Sequence, residues 1–98
     1  MNHYILTKDH KHKKVSLLVW ARNFEHPKNR IVKQEYIGKI FVSTVFLGLD
    51  HNFSGKGKPV LYETMTKKKG KWSDQERYCT WKEAIKGHKE VIKKITQI

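Results

Sequence analysis

Residues 40–51 read IFVSTVFLGLDH, and this stretch decides the fold. Apolar side chains occur at both its odd and its even positions, and β-branched residues recur along it. A strand that is apolar on both faces is typically buried on both sides, so we predict that this stretch is the central strand of a small sheet. It ends in Asp50 and His51, two ionisable side chains at the edge of the core, and the loop NFSGKGKP follows.

The neighbouring segments alternate like strands and predict an antiparallel meander. Before the central strand, Gly38 and Lys39 form a tight link to the preceding strand, and after it KKKGK at 67–71 forms a cationic turn. The expected flanking strands are residues 3–6, 15–22, 31–37, 60–66 and 72–79.

The C-terminal segment predicts a helix from Trp81 to Thr96. Its apolar residues recur at helical spacing, and Thr80 with Glu83 three residues later is the pattern of a capping box. The predicted fold is therefore α+β: an antiparallel sheet of four or five strands, with Phe41 to Leu49 central and one helix on one face. Because one helix covers only one face, we expect homodimerisation through the other.

The length of 98 residues predicts a single domain, residues 1–98. The mean hydropathy is −0.72, yet 38% of the residues are hydrophobic, which is enough for a folded core. No apolar run approaches the roughly 20 residues that span a bilayer, and the N-terminus lacks the order of a signal peptide. We therefore expect a compact protein of the cytoplasm without a membrane partner. The single cysteine, Cys79, cannot form an internal disulfide.

The charge balance limits the class of partner. The chain has 21 Lys and Arg against 9 Asp and Glu, a formal net charge of +12 and a pI near 9.9. Such a field attracts polyanions, so nucleic acid, a nucleotide, anionic lipid or an acidic protein surface is the expected class of partner. The lysines are spread along the chain, which also fits an ordinary solvated surface.

Several lysines and one tryptophan are candidates for ligand binding. The loop lysines alternate with glycines but lack the GK[ST] ending of a Walker A loop, so a plain hairpin loop is the alternative. The helix lysines recur at spacings of four, three and four, a stripe whose mutual repulsion an anion would relieve. Trp72 beside Lys71 is placed to stack on a base, although tryptophans often pack in cores. The candidates are Lys56, Lys58, Lys71, Trp72, Lys82, Lys86, Lys89 and Lys93.

Three blocks of the chain carry a resemblance to a known family. VSTVFLGLDHNF at 42–53, YETM at 62–65 and RYCTWKEAIKGH at 77–88 resemble, in this order, small uncharacterised proteins of bacteriophages and prophage-bearing bacteria. The resemblance covers about half of the chain, and the basic turn KKKGK departs from it. It implies a phage accessory context in which small basic proteins act on nucleic acids or on host defence, and it adds Tyr78 to the ligand-binding candidates.

The ionisable residues of these blocks form a possible catalytic group. Glu63 shares a strand face with apolar neighbours, and His88 lies near the centre of the apolar arc of the helix. Together with Asp50 and His51, they are able to bind a metal, perform acid–base chemistry, or form a hydrogen-bonded network that fixes the helix on the sheet. No nucleophile motif or complete metal-ligand pattern is present, so no metal site or cofactor is assigned and an enzyme is the less favoured class.

Three functions follow as hypotheses. The first is a phage accessory protein that binds nucleic acid or a nucleotide, plausibly in counter-defence. The second is a small phosphodiesterase or nucleotide hydrolase that uses Asp50, His51, Glu63 and His88. The third is a protein inhibitor that covers an acidic surface of a host defence enzyme.

Overall fold

A computed structural model describes residues 2–97, except for the side chain of residue 74, and it confirms the α+β fold. The elements are β1 (His3–Leu6), β2 (His12–Val15), α1 (Leu17–Phe24), a 3-10 helix (Pro27–Arg30), β3 (Ile31–Ile37), β4 (Ile40–Phe46), β5 (Tyr62–Lys68), β6 (Lys71–Tyr78) and α2 (Trp81–Thr96). Strands β3 to β6 form an antiparallel sheet in sequence order, and β1 pairs with β2 in a separate hairpin. The predicted meander is thus confirmed for β3 to β6, with β4 as an internal strand, but β1, which was expected in the same sheet, lies in the separate hairpin.

Two tight turns at the same end of the sheet set its register. Gly38, with φ +60°, begins the link from β3 to β4. Lys69 and Gly70 between β5 and β6 both have positive φ, at 52° and 79°, the arrangement of a type I′ turn. The turns align paired residues in rows across the strands, and successive rows point to opposite faces of the sheet.

Helix α2 covers one face of the sheet, as the sequence predicts. Its N-cap is Thr80, whose Oγ1 accepts a hydrogen bond from the Glu83 backbone N–H at 3.1 Å and donates to the Glu83 carboxylate at 3.0 Å. The inward side of the helix includes the buried residues Ala84, His88 and Val91. Capping and periodicity therefore fix both the start and the facing of α2.

The core lies between α2, the sheet and the β1–β2 hairpin. Its central buried residues are Phe46, Leu61, Tyr62 and Ala84, and partly buried side chains of β1, such as Tyr4, pack against them. The hairpin therefore shares the α2 side of the sheet. No helix within residues 2–97 is long and apolar enough to cross a membrane.

The strand predicted at residues 15–22 is wrong. Strand β2 ends at Val15, and Ser16 then caps α1 by accepting a hydrogen bond from the Val19 N–H at 3.3 Å. By composition, the run LLVW is compatible with a strand or a helix. The cap at Ser16 and the contact between Trp20 and Phe24, four residues apart, favour the helix.

The central strand is also shorter than predicted, because regular pairing ends at Phe46 rather than near His51. Gly48 has φ +77°, and a Cβ there would lie 2.8 Å from the indole Nε1 of Trp20, so α1 packs where a regular strand would continue. The Tyr4 N–H donates to the Gly48 carbonyl at 2.8 Å, which joins β1 to this irregular segment.

Candidate nucleic-acid interface

A network of hydrogen bonds beneath α2 connects the helix to all four strands of the sheet. His88 Nε2 lies 2.8 Å from Glu35 Oε2, His88 Nδ1 lies 2.6 Å from Thr44 Oγ1, and the hydroxyls of Thr44 and Thr64 are 2.5 Å apart. The Tyr78 hydroxyl hydrogen-bonds to Thr64 at the far end. Five polar side chains thus pair with one another on the covered face of the sheet.

The direction of these bonds follows from Glu35. The hydrogen bond from His88 is the main reason that the pKa of the Glu35 carboxyl is lowered, so the carboxylate is ionised at neutral pH and only accepts. In the tautomer that donates from Nε2 to this carboxylate, Nδ1 accepts from the Thr44 hydroxyl, and Thr44 in turn accepts from Thr64. In this order each of the two threonine hydroxyls donates one hydrogen bond, so the buried side chains of this network pair with one another.

The burial of this chain indicates a structural role. His88 is 1% exposed, and Thr44 and Thr64 are fully buried. A histidine between a carboxylate and a hydroxyl has the connectivity of a nucleophile-activating group, but a substrate has no access to either the imidazole or the threonine. This is the arrangement expected of a network that fixes the helix on the sheet, one of the possibilities that the sequence left open.

Tyr78 is an internal packing residue rather than a surface ligand contact. A Cβ added to Gly87 would meet its Cε1, Cζ and Oη atoms, each at 2.2 Å, so the phenol ring lies directly on the helix backbone. Burial raises the pKa of Tyr78. Gly87 of the block RYCTWKEAIKGH therefore leaves the space that this ring occupies.

The four predicted catalytic residues are not brought together. His88 lies under α2, whereas Glu63 lies on the opposite face of the sheet, where it accepts from Arg77 Nε at 2.9 Å and Gln75 Nε2 at 2.6 Å. Asp50 accepts from two backbone N–H groups of its own loop, and the His51 ring bonds to the Leu49 carbonyl at 2.8 Å. Within residues 2–97, leaving aside the undescribed side chain of residue 74, no three His, Cys, Asp or Glu side chains form a group that could hold a metal ion.

The predicted lysines lie on three separate surfaces. Lys56 and Lys58 are exposed in the loop, where their carbonyls accept from the Asn52 side chain at 2.6 and 2.9 Å. Lys71 pairs with Lys68 at the turn end of the sheet. The helix stripe is exposed, and at 100° per residue it lies about 180° from the buried side of α2. The stripe consists of Lys82, Lys86, Lys89 and Lys93.

The face of the sheet opposite α2 carries a row of large side chains. The register aligns Tyr36, Phe41, Lys67 and Trp72, one residue from each of the four strands. The ring centroids of Tyr36 and Phe41 are 4.9 Å apart, and those of Phe41 and Trp72 are 6.1 Å apart. Lys67 Nζ lies 5.5 Å from the centroid of the Trp72 ring, a cation–π contact.

We call these four residues the aromatic row, and its rings are accessible. Tyr36 is 71% exposed and Trp72 is 49% exposed, although both are apolar over most of their surface. The two tight turns at this end of the sheet add the exposed lysines Lys39 and Lys69. Beside the row, a shallow cavity of about 370 Å³ is lined by Gln34, Ser43, Val45, Glu63, Met65 and Trp72.

Of the aromatic row, the sequence reasoning singled out only Trp72. The pairing of Tyr36 with Phe41 follows from the two-residue link at Gly38, and that of Lys67 with Trp72 from the turn at Lys69. Counting outward from both turns would have found the row. No local pattern predicts the role of Glu35, because its hydrogen-bond partner His88 lies 53 residues away on α2.

Comparison with known proteins adds no identity to this geometry. No protein-family model matches the chain, and no curated protein or solved structure is significantly similar to it. The resemblance to phage proteins stays a prediction, and the proposals below depend on the contacts of the described residues.

Proposed function

We propose that this protein binds single-stranded nucleic acid on the face of the sheet opposite α2. Bases stack on the rings of the aromatic row, and lysines of the row and of the adjacent turns contact phosphates. The observation that carries the proposal is the alignment of Tyr36, Phe41, Lys67 and Trp72 across the sheet with two strongly exposed rings.

The geometry favours a single strand over a duplex. The rings lie on an open sheet surface, where unstacked bases can be placed against them, whereas bases of a duplex are already stacked inside it. Stacking of this kind tolerates any base because every base has a π face. We therefore expect modest sequence preference and binding that depends strongly on salt.

The charge of this face favours a polyanion over a second copy of the chain. Lys39, Lys67 and Lys69 lie on or beside the row, and the chain as a whole has a net charge of +12. A face-to-face dimer would bring these like charges opposite one another, which is unfavourable. Glu63 on this face is paired with Arg77. Homodimerisation through this face stays a prediction, and light scattering of the free protein tests it.

The other two hypotheses have less support from the geometry. Hydrolysis would need the predicted acid and base groups within reach of one substrate, and these groups lie in three places. Inhibition of a host defence enzyme, a phage origin and a counter-defence role stay predictions. A protein that binds single strands is compatible with the phage context that the resemblance implies, in which small basic proteins act on nucleic acids or on host defence.

A matched pair of charge variants tests the proposed face. The row variant carries Lys39→Gln, Lys67→Gln and Lys69→Gln, and the stripe variant carries Lys82→Gln, Lys86→Gln and Lys89→Gln, so each loses three positive charges. Binding of a fluorescein-labelled oligothymidylate is measured by anisotropy across a salt series. For single strands, log K falls with log[salt] by about 0.7 per phosphate contact, so the row variant should lose up to about 2 from the slope.

The stripe variant should keep the slope of the parent chain, because its lysines point away from the sheet. A loss of slope in the stripe variant alone would place binding on α2 and contradict the proposal. Equal loss in both variants would indicate nonspecific attraction to the net charge. A duplex of the same length should bind more weakly than the single strand at equal salt.

A further inference from the structure

The shallow cavity beside the aromatic row lies on the same face of the sheet as the row. The register places Gln34, Ser43 and Met65 side by side, two residues along their strands from the row. Because side chains two residues apart on a strand share a face, both sets point away from α2. Glu63 lies two residues further along β5, and Trp72 lines the cavity as well as belonging to the row. A base that stacks on Trp72 is therefore placed to extend into the cavity.

The cavity has the size and the lining of a site for a small planar group. Its volume of about 370 Å³ exceeds that of a single nucleobase. Val45 and Met65 are partly buried and give it apolar surface, and the indole of Trp72 is 49% exposed beside them. Few polar side chains complete the lining, which is the usual composition of a pocket that orients a small ligand by a few hydrogen bonds.

Glu63 gives this cavity a charged hydrogen-bond acceptor. Its Oε2 atom accepts from Gln75 Nε2 and Arg77 Nε. Among residues 2–97, with the side chain of residue 74 left aside, Oε1 of Glu63 has no hydrogen-bond partner. The side chain is 12% exposed, and Oε1 is not one of the fully buried unpaired atoms, so a ligand is able to reach it.

The other polar groups of the cavity adapt to what Glu63 selects. The Gln34 amide donates from Nε2 to the Ser43 hydroxyl at 2.8 Å. An amide and a hydroxyl each donate and accept, whereas a carboxylate only accepts. Hydrogen bonds to an ionised group are also roughly twice as strong as those between neutral groups. The preference of the cavity is therefore for a ligand edge that carries N–H donors.

We propose that this cavity selects, at one position of the bound strand, a base that carries an exocyclic amino group. Cytosine, adenine and guanine have such a group, and its N–H donates to Glu63 Oε1 while the ring stacks on Trp72. Thymine and uracil have carbonyl oxygens instead, which would leave the carboxylate unpaired. This inference rests on the proposed function, and it adds a preference at one nucleotide to stacking that otherwise tolerates any base.

The test uses two pairs of bases that differ in this group. A short fluorescein-labelled oligothymidylate carries one central cytosine or one central uracil, which have the same ring and differ in an amino against a carbonyl group. The parent chain should bind the cytosine form about tenfold or more tightly, the value of a hydrogen bond to a charged group. Adenine against hypoxanthine is the corresponding purine pair and should give a preference of the same direction.

A matched pair of variants locates the preference. In Glu63→Gln, Gln75 and Arg77 still donate to the Oε2 position, so they hold the new amide oxygen there and its NH2 group faces the cavity. This variant should lose the preference for cytosine over uracil. Glu76→Gln removes the same charge from an exposed residue of β6 whose partner, Thr64, lies on the face under α2. That variant should keep the preference of the parent.

The outcomes separate this inference from the proposed function. Equal binding of the cytosine and uracil forms by the parent would overturn the role of the cavity, and the aromatic row would stand if the row variant still loses salt dependence. A preference that Glu63→Gln retains, or that Glu76→Gln loses, would also overturn it. Failure of the parent to bind any of the oligonucleotides would overturn both proposals. The comparisons with the parent need no substitution, so they decide the matter even where a variant does not fold.

Discussion

Replacement of Gly87 by alanine should destabilise the protein, although the same change stabilises most helices. A glycine inside a helix is about 1 kcal/mol less favourable than alanine. Gly87 lies in the middle of α2, so helix propensity alone predicts a gain. The structure predicts the opposite sign, because the new Cβ would lie 2.2 Å from three atoms of the Tyr78 ring.

The size of the loss follows from what holds the ring in place. Tyr78 is partly buried and its hydroxyl is bonded to Thr64, so it cannot move away without breaking the hydrogen-bonded chain. Overpacking of a core typically costs about 1–3 kcal/mol, and a lost hydrogen bond adds about 1 kcal/mol. Subtracting the propensity gain of about 1 kcal/mol leaves a net loss of about 1–3 kcal/mol, or a Tm lower by at least about 4 °C.

Urea unfolding followed by circular dichroism measures this loss. The control is the same Gly87→Ala change in a Tyr78→Leu chain, since leucine stops short of the three atoms that the Cβ would meet. In that background the substitution should stabilise by about 1 kcal/mol, the ordinary helix value. If Gly87→Ala stabilises the chain that retains Tyr78, the close approach of ring and helix is wrong.

Three further predictions follow from the site geometry. The hydrogen bond between His88 and Glu35 stabilises the fold above the unfolded-state carboxyl pKa of 4.5, and this stability is lost as the pH falls through the lower folded-state pKa. Glu35→Gln should therefore make the free energy of unfolding depend less on pH in this acidic range. Stability should also fall as the pH rises from 10 towards 12, because Tyr62 ionises only in the unfolded chain over that range; Tyr62→Phe should remove part of this alkaline loss, measured by urea titration. Trp72→Leu should weaken oligothymidylate binding about fivefold to more than a hundredfold, because stacking of one base contributes about 1–3 kcal/mol. Anisotropy measures the loss. The control is Leu18→Ala, a change at an exposed residue of α1, which should leave binding unaffected.

The elements that the sequence predicts correctly are those with local signals. Helix α2 has a cap at Thr80 and uninterrupted periodicity, and β3 to β6 have alternation bounded by glycine turns. The strand predicted at residues 15–22 is a helix instead, because the apolar run LLVW fits the period of a strand as well as that of a helix, and the N-cap at Ser16 is the local signal that separates the two. The early end of β4 depends on Trp20 packing at Gly48, a tertiary contact that no local pattern contains.

The candidate site was predictable only in part, for a similar reason. His88 was expected to face the sheet, and it does, because the helix arc fixes its direction. Its partners Glu35 and Thr44 depend on where α2 crosses the sheet, which sequence spacing does not give. For Glu63, the alternation of the strand correctly predicts that it shares a face with apolar neighbours. The sequence does not determine which face of the sheet α2 covers, and Glu63 lies on the face opposite His88.

The two faces of the sheet divide the chain in a way that bears on the resemblance to phage proteins. Thr44, Thr64, Tyr78, Gly87 and His88, which lock α2 onto the sheet, all lie within the three blocks that carry the resemblance. All four residues of the aromatic row lie outside those blocks, and so does the basic segment KKKGK, which contains Lys67 and Lys69. Most of the contacts that fix α2 therefore come from the blocks, with Glu35 as a partner outside them, whereas the aromatic row and the lysines of the adjacent turns are formed entirely by residues outside the blocks. A chain that shares only the blocks should accordingly have this fold without this nucleic-acid interface.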